Sequence, residues 1–160
     1  FKGKKEDFTP IKICVISMIY LYKIDGDIGA EEVGQLLSIV GGKSTAKGIQ
    51  VGGQSKGFIE ECLSYTETNK VDKFLKDSKS KLSAAQKLYI VANMIDASLS
   101  DGKADEKEEV LIEQFVEVLE VDAESLGVIV QVLELKNDRK IFAEENYVKN
   151  SSDFKFEISM

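Results

Sequence analysis

The 160-residue chain has no histidine and no tryptophan, and its one proline is Pro10. Without imidazole it cannot build a Ser-His-Asp or Cys-His hydrolase, a His-bearing zinc site or an imidazole proton shuttle. The two cysteines, Cys14 and Cys62, stand far apart and form no CxxC pair, which argues against a thiolate metal knuckle. Cys14 falls in an apolar stretch and reads as a buried, inert thiol. Basic residues are in deficit: 21 Lys and Arg against 28 Asp and Glu leave a net charge of −7, which repels phosphate backbones and disfavours nucleic acid as a partner. Long hydrophobic runs are missing too. The longest, Ile13 to Tyr22, contains one serine and is too short to cross a bilayer, and no signal peptide is visible. Two free thiols without an export signal give the expectation of a cytoplasmic protein.

What is present fits one domain. The hydrophobic share is 43%, and a chain of this length buries roughly 70% of its unfolded surface. Thr9-Pro10 opens a helix with a hydroxyl cap and a proline at the first helical position. Ile11 to Ile24 follow with apolar residues on almost every face, the pattern of a helix in the middle of a bundle. A second helix starts after Gly29 and carries Val33, Leu36, Leu37 and Val40 on one face, and Gly41-Gly42 is expected to stop it. Phe58 to Tyr65 predicts a third helix and Val71, Phe74 and Leu75 a short fourth. Ser83 and Gln86 form a capping box that opens a fifth. Asp105 to Glu120 carries a sixth, with Leu111, Ile112, Phe115, Val118 and Leu119 inward. Asp122 caps a seventh with Leu126, Ile129, Val130 and Leu133.

The fold class expected is therefore all-α, a helical bundle of about seven helices with pseudo-twofold duplicated helix–turn–helix halves. It is read as a single domain over 1–160, with a first half at 9–40, a glycine-rich loop at 41–57, a second half at 58–135 and a tail at 136–160. The loop holds six of the twelve glycines, three lysines and no acid, and reads as a flexible basic linker. Within it, Gly42-Lys43-Ser44 suggests a phosphate loop. That motif needs a glycine five residues earlier, where Leu37 stands, and a strand before it, where a helix stands. In the tail, Phe154, Phe156 and Ile158 alternate, which suits either a short strand or packing onto the bundle.

One local pattern occurs twice: Asp25-Gly26-Asp27-Ile28-Gly29-Ala30-Glu31-Glu32 and Asp101-Gly102-Lys103-Ala104-Asp105-Glu106-Lys107-Glu108. Both read Asp-Gly-x-apolar-x-x-x-Glu, both follow a strongly apolar helix and both precede an amphipathic one. The pattern matches the second half of an EF-hand loop, but the first half is missing. Leu21 and Lys23, or Ala97 and Leu99, stand where the first carboxylates would be. A calcium ion takes about 6–8 oxygens and either turn alone offers about three. Two turns brought together could pool Asp25, Glu32, Asp101 and Glu108, with Asp27, Asp96 or Asp105 nearby. Oxygen donors without nitrogen or sulfur favour calcium, magnesium or manganese. The same residues also have a purely structural use. With Gly29 and Asp105 as N-caps, Glu32 and Glu108 fall at the third helical position, where glutamate stabilises a helix start by roughly 0.3–1 kcal/mol.

At these residues the sequence resembles the tellurite-resistance TerB family, over roughly 10–137. The resemblance is carried by Leu82-Ser83, Gln86-Lys87-Leu88, Asn93-Met94-Ile95-Asp96, Leu99, Asp101-Gly102 and Glu108, by Lys136-Asn137-Asp138, and in the first half by Asp25-Gly26 and Glu32. It implies a helical bundle on a pseudo-twofold, acidic residues that bind a divalent cation (Asp25, Glu32, Asp101 and Glu108) and a role in bacterial stress responses as sensor or scaffold, some members acting near the membrane. It implies no enzymatic activity. The loop at 41–57 and the extension at 138–160 depart from the family pattern.

The function expected is a non-enzymatic acidic module that binds a divalent cation, with Asp25, Glu32, Asp101 and Glu108 as ligands and Asp27 and Asp105 beside them. No organic cofactor is expected. The expected partner is a protein, with a peripheral membrane complex as one setting, and nothing in the sequence specifies an oligomeric state. The alternatives are a metal-free interaction adaptor, whose acidic turns only cap helices, and a carboxylate metal-dependent hydrolase. The helical di-iron kind of carboxylate centre carries Glu-x-x-His pairs, which this chain cannot supply.

Overall fold

The computed structural model describes residues 8–44, 55–100, 102 and 105–157. Its long helices are α1 (Pro10–Tyr22), α2 (Ala30–Ser44), α3 (Ser55–Thr68), α4 (Val71–Ser78), α5 (Ala84–Ser100), α6 (Glu106–Val118) and α7 (Ala123–Lys136), followed by the single turn α8 (Lys140–Ala143). No strand occurs among the described residues, and no helix there is long and apolar enough to cross a membrane.

Helix starts follow local chemistry. Thr9 Oγ1 accepts the Lys12 amide at 3.3 Å at the head of α1, with Pro10 at its first position. At α5, Ser83 Oγ accepts the Gln86 amide at 3.1 Å while Gln86 Oε1 accepts the Ser83 amide at 2.8 Å, so two amides that the helix itself cannot satisfy are paired reciprocally. Asp122 Oδ2 accepts the Ser125 amide at 2.9 Å and caps α7.

The bundle is built around α1, which is buried from Lys12 to Leu21 on all sides. Its two polar interruptions are satisfied: Ser17 Oγ donates to the Ile13 carbonyl at 2.7 Å, and Lys12 Nζ reaches Glu61 Oε1 at 2.8 Å. α1 packs on α2, α3 and α5; α5 packs in turn on α6 and α7. The halves thus repeat one plan, a central helix (α1, α5) with two helices laid on it (α2 and α3, α6 and α7). Phe74 of α4 joins them, its ring 5.4 Å from Tyr20, 5.9 Å from Tyr65 and 6.3 Å from Phe115. Cys14 and Cys62 are buried in this core and are not joined in a disulfide.

Two expectations need correction. Gly41-Gly42 does not end α2, which continues to Ser44. An internal glycine costs a helix only about 1 kcal/mol, and Leu36 and Val40 on the same helix are fully buried against the core. Likewise α3 begins at Ser55 rather than Phe58 and runs on to Thr68. The centre of the expected loop, 45–54, and Ile158 of the tail lie outside the described residues. The rest of the tail forms α8 and a 3-10 turn at Val148–Asn150. It folds around Asp138, which accepts from Tyr147 Oη at 2.5 Å and Lys149 Nζ at 2.9 Å, and it meets α7 where Gln131 Nε2 donates to the Glu157 carbonyl at 2.8 Å. Phe154 and Phe156 contact each other edge-on.

Candidate functional site

Each acidic turn leaves the end of a central helix. After α1 the backbone tightens into a 3-10 turn over Lys23–Asp25, and Gly26 reverses it with φ of +122°. After α5, the Gly102 amide bonds the Leu99 carbonyl at 3.1 Å and its φ is +69°. A side chain would strain the backbone at either glycine, so the Asp-Gly spelling of both turns has a steric cause.

Because α1 and α5 pack together, the turns that follow them meet. One carboxylate oxygen each from Asp25, Asp105 and Glu108 lie within 4.8 Å of one another. Asp25 is exposed, Asp105 half-buried, and Glu108 only 3% exposed. Among the described residues Glu108 is the one buried acid. Asp105 is also the N-cap of α6, its Oδ1 accepting the Lys107 amide at 2.8 Å. Its carboxyl is held below the ordinary carboxylate range, first by a hydrogen bond from the Asp25 carboxyl and then by the Lys107 amide. Two carboxyl groups in that contact need a shared proton or a cation between them, since like charges that close do not both stay ionised unaided.

A cavity of about 170 Å³ lies beside Glu108, lined by Glu31, Glu32, Tyr22, Gln35, Ala97, Ser98 and Ser100 among others. Glu32 is folded back over Gly29, its Oε2 2.9 Å from where a β-carbon on Gly29 would stand. Also lining the cavity, Tyr22 Oη donates to Gln35 Oε1 at 2.6 Å.

A family model described as tellurite resistance protein TerB matches residues 13–129. The chain belongs to the TerB family. No match was found among curated proteins or among solved structures. The TerB match begins within α1, covers both acidic turns and α2 through α6, and stops within α7.

Of the six candidate residues, the TerB bundle brings three together: Asp25, Asp105 and Glu108. Glu32 stands on the wall of the cavity it shares with Glu108 and outside that cluster. Asp27 is exposed and outside it as well, because it follows the reversal at Gly26. Asp101 lies outside the described residues. Asp96 is engaged elsewhere, accepting from Lys136 Nζ at 2.7 Å and Asn137 Nδ2 at 2.8 Å. Tyr22, Gln35, Ser98 and Ser100 had no signal in the sequence. The Asp96 ties had one: Asn93-Met94-Ile95-Asp96 and Lys136-Asn137-Asp138 both carry the family resemblance, and they are partners in space.

The donors fit a hard divalent cation. They are all oxygen, and ions bound at about 2.3–2.6 Å gather ligands within about 5 Å of each other. Three carboxylates fall short of a full calcium shell, so backbone carbonyls or water would have to complete it.

Proposed function

We propose that this TerB chain is a non-enzymatic acidic module that binds calcium, magnesium or manganese at Asp25, Asp105 and Glu108. It passes the occupancy of that site to a protein partner, as sensor or scaffold in a cytoplasmic stress response of the tellurite-resistance type, with a peripheral membrane complex as one setting. The observation that supports this reading is the convergence of three carboxylates from two turns 80 residues apart (Asp25 to Asp105), one of them buried. A buried carboxylate beside two others is costly unless positive charge or a proton joins it. Cation binding would remove that repulsion and tie the two halves together.

Calorimetric titration of the full chain with each of the three ions tests it. Heat of binding is expected in the wild type, with binding weakened by about 100-fold or more in Glu108→Gln. Absence of both heat and any melting shift at millimolar concentrations of all three ions overturns the proposal.

A second reading, the metal-free adaptor, is favoured by the capping role of Asp105 and the fold of Glu32 over Gly29, which occupy these acids structurally. On that reading Glu108→Gln melts at or above the wild-type temperature in calcium-replete buffer. On the cation reading it melts below the wild type there.

A further inference from the structure

The two halves wrap their central helices unequally. On α1, the flanking helices α2 and α3 also pack against each other; on α5, α6 and α7 have no comparable packing. The space left in the second half is an open groove of about 610 Å³. Its apolar lining comes from all three helices: Ile95 and Leu99 of α5, Ile112 of α6 and Val130 of α7, each half-buried. Two carboxylates of α6, Glu109 and Glu113, line it as well. Both are exposed, and a spacing of four residues puts them on one face of the helix. Neither is in an ion pair. Among the described residues no lysine or arginine lines the groove. The groove adjoins the acidic site: Ser98 lines both it and the cavity beside Glu108, and Glu108 directly precedes Glu109 on α6.

We propose that this groove receives a basic amphipathic helix of a protein partner, with apolar side chains on Ile95, Leu99, Ile112 and Val130 and Lys or Arg side chains against Glu109 and Glu113. The proposal rests on the reading above only in taking a protein as partner, and it is independent of the ion. The chemistry of the groove selects this occupant. A helix with apolar side chains at i, i+3, i+4 and i+7 presents one stripe, which suits an apolar trough between helices. An extended peptide would add to a sheet edge, and no strand occurs among the described residues. The unpaired carboxylates attract cationic side chains, and they repel an acidic peptide or an anionic lipid surface. A helix seated there closes the second half as α2 and α3 close the first by packing on each other.

Fluorescence anisotropy on the full chain in EDTA keeps the ion site out of the measurement. The probe is an amidated leucine–lysine peptide of about 18 residues, five helical turns, with leucine at the spacing above. A scrambled peptide of the same composition is the comparison. The wild type is expected to bind the amphipathic peptide at least about tenfold more tightly than the scrambled one. Glu109→Lys with Glu113→Lys is expected to lose at least about tenfold. Glu60→Lys with Glu67→Lys makes the same change of charge at exposed positions of α3 and is expected to lose less than about threefold. A benzophenone on the leucine face of the peptide should crosslink to α5, α6 and α7. Equal losses in the two double variants, equal binding of the scrambled peptide, or crosslinks confined to other helices would each overturn the proposal. So would sedimentation showing wild-type dimers that Glu109→Lys with Glu113→Lys dissociates, since the occupant would then be a second copy of the chain. Calorimetry with the three ions reads the acidic cluster separately. Heat without peptide binding overturns the groove alone, and peptide binding without heat overturns the ion site alone.

Discussion

Two copies of one eight-residue pattern each follow a central helix, and they contribute differently. The first places the initial acid, Asp25, in the cluster; the second places its fifth and eighth residues, Asp105 and Glu108, there. The fifth residue of the first copy is Gly29, which heads α2 as Asp105 heads α6. Glycine and aspartate are both good helix caps, so the fold accepts either, but only one brings a carboxylate. A repeat that preserves capping chemistry thus yields a lopsided site. The same holds deeper in each half. Five residues before Asp25 stands Tyr20, whose hydroxyl donates to the Asn69 carbonyl at 2.6 Å; five before Asp101 stands Asp96, which accepts from Asn137. Each asparagine ends the second helix laid on its central helix, and each folds its side-chain amide back to the carbonyl four residues earlier, Tyr65 or Leu133. The joint is repeated, with a phenol in one half and a carboxylate in the other.

The largest effect should come from the eighth position. Glu108→Gln is expected to weaken calcium binding by about 100-fold or more, while Glu32→Gln, its counterpart, weakens it by less than about tenfold, both by calorimetry. Equal losses would restore the symmetry that the structure denies. Next comes the fifth position. Asp105→Ala removes a cap and is expected to lower the melting temperature by about 3 °C in ion-free buffer, with Gly29→Ala lowering it less.

The two asparagine joints should part company in acid. Burial pushes the Asp96 carboxyl up, but hydrogen bonds from Asn137 and Lys136 and the Lys136 charge outweigh it and hold the group below its ordinary range. Its contribution is fully present above the unfolded value near ~3.9 and is lost as pH falls through the lower folded value. Burial pushes the Tyr20 phenol up, so it remains a donor throughout. The melting difference between wild type and Asp96→Asn should therefore shrink as pH falls below about 4, and that between wild type and Tyr20→Phe should not. The smallest effect belongs to Asp27→Asn, expected to leave ion affinity within about twofold, since the side chain is exposed and outside the cluster.

The helices were legible because each rests on short-range chemistry. Thr9-Pro10, the Ser83 and Gln86 box, and Asp122 mark starts that need no tertiary knowledge, and the all-round apolar α1 announces its central place. Helix ends were less legible. Gly41 and Gly42 look like a stop, yet burial of Leu36 and Val40 carries the helix past them. Of the site, the sequence shows that two acidic turns exist and that their acids fall into a repeat. It does not show which acids meet, because that depends on how α1 and α5 pack and on the side toward which each turn faces after its glycine. Asp27 and Asp105 look alike as neighbours of the repeat; the reversal at Gly26 carries one into solvent, and the cap of α6 holds the other beside Asp25.

The burial of α1 on every side has a consequence for synthesis. Residues 10–22 leave the ribosome long before α5 exists to cover them, so the first half emerges with an apolar rod for which it has no complete wrapping. The two repeats cannot be cut apart and kept as separate working pieces: an amino-terminal fragment would emerge sticky, and only the arrival of its sibling makes it soluble.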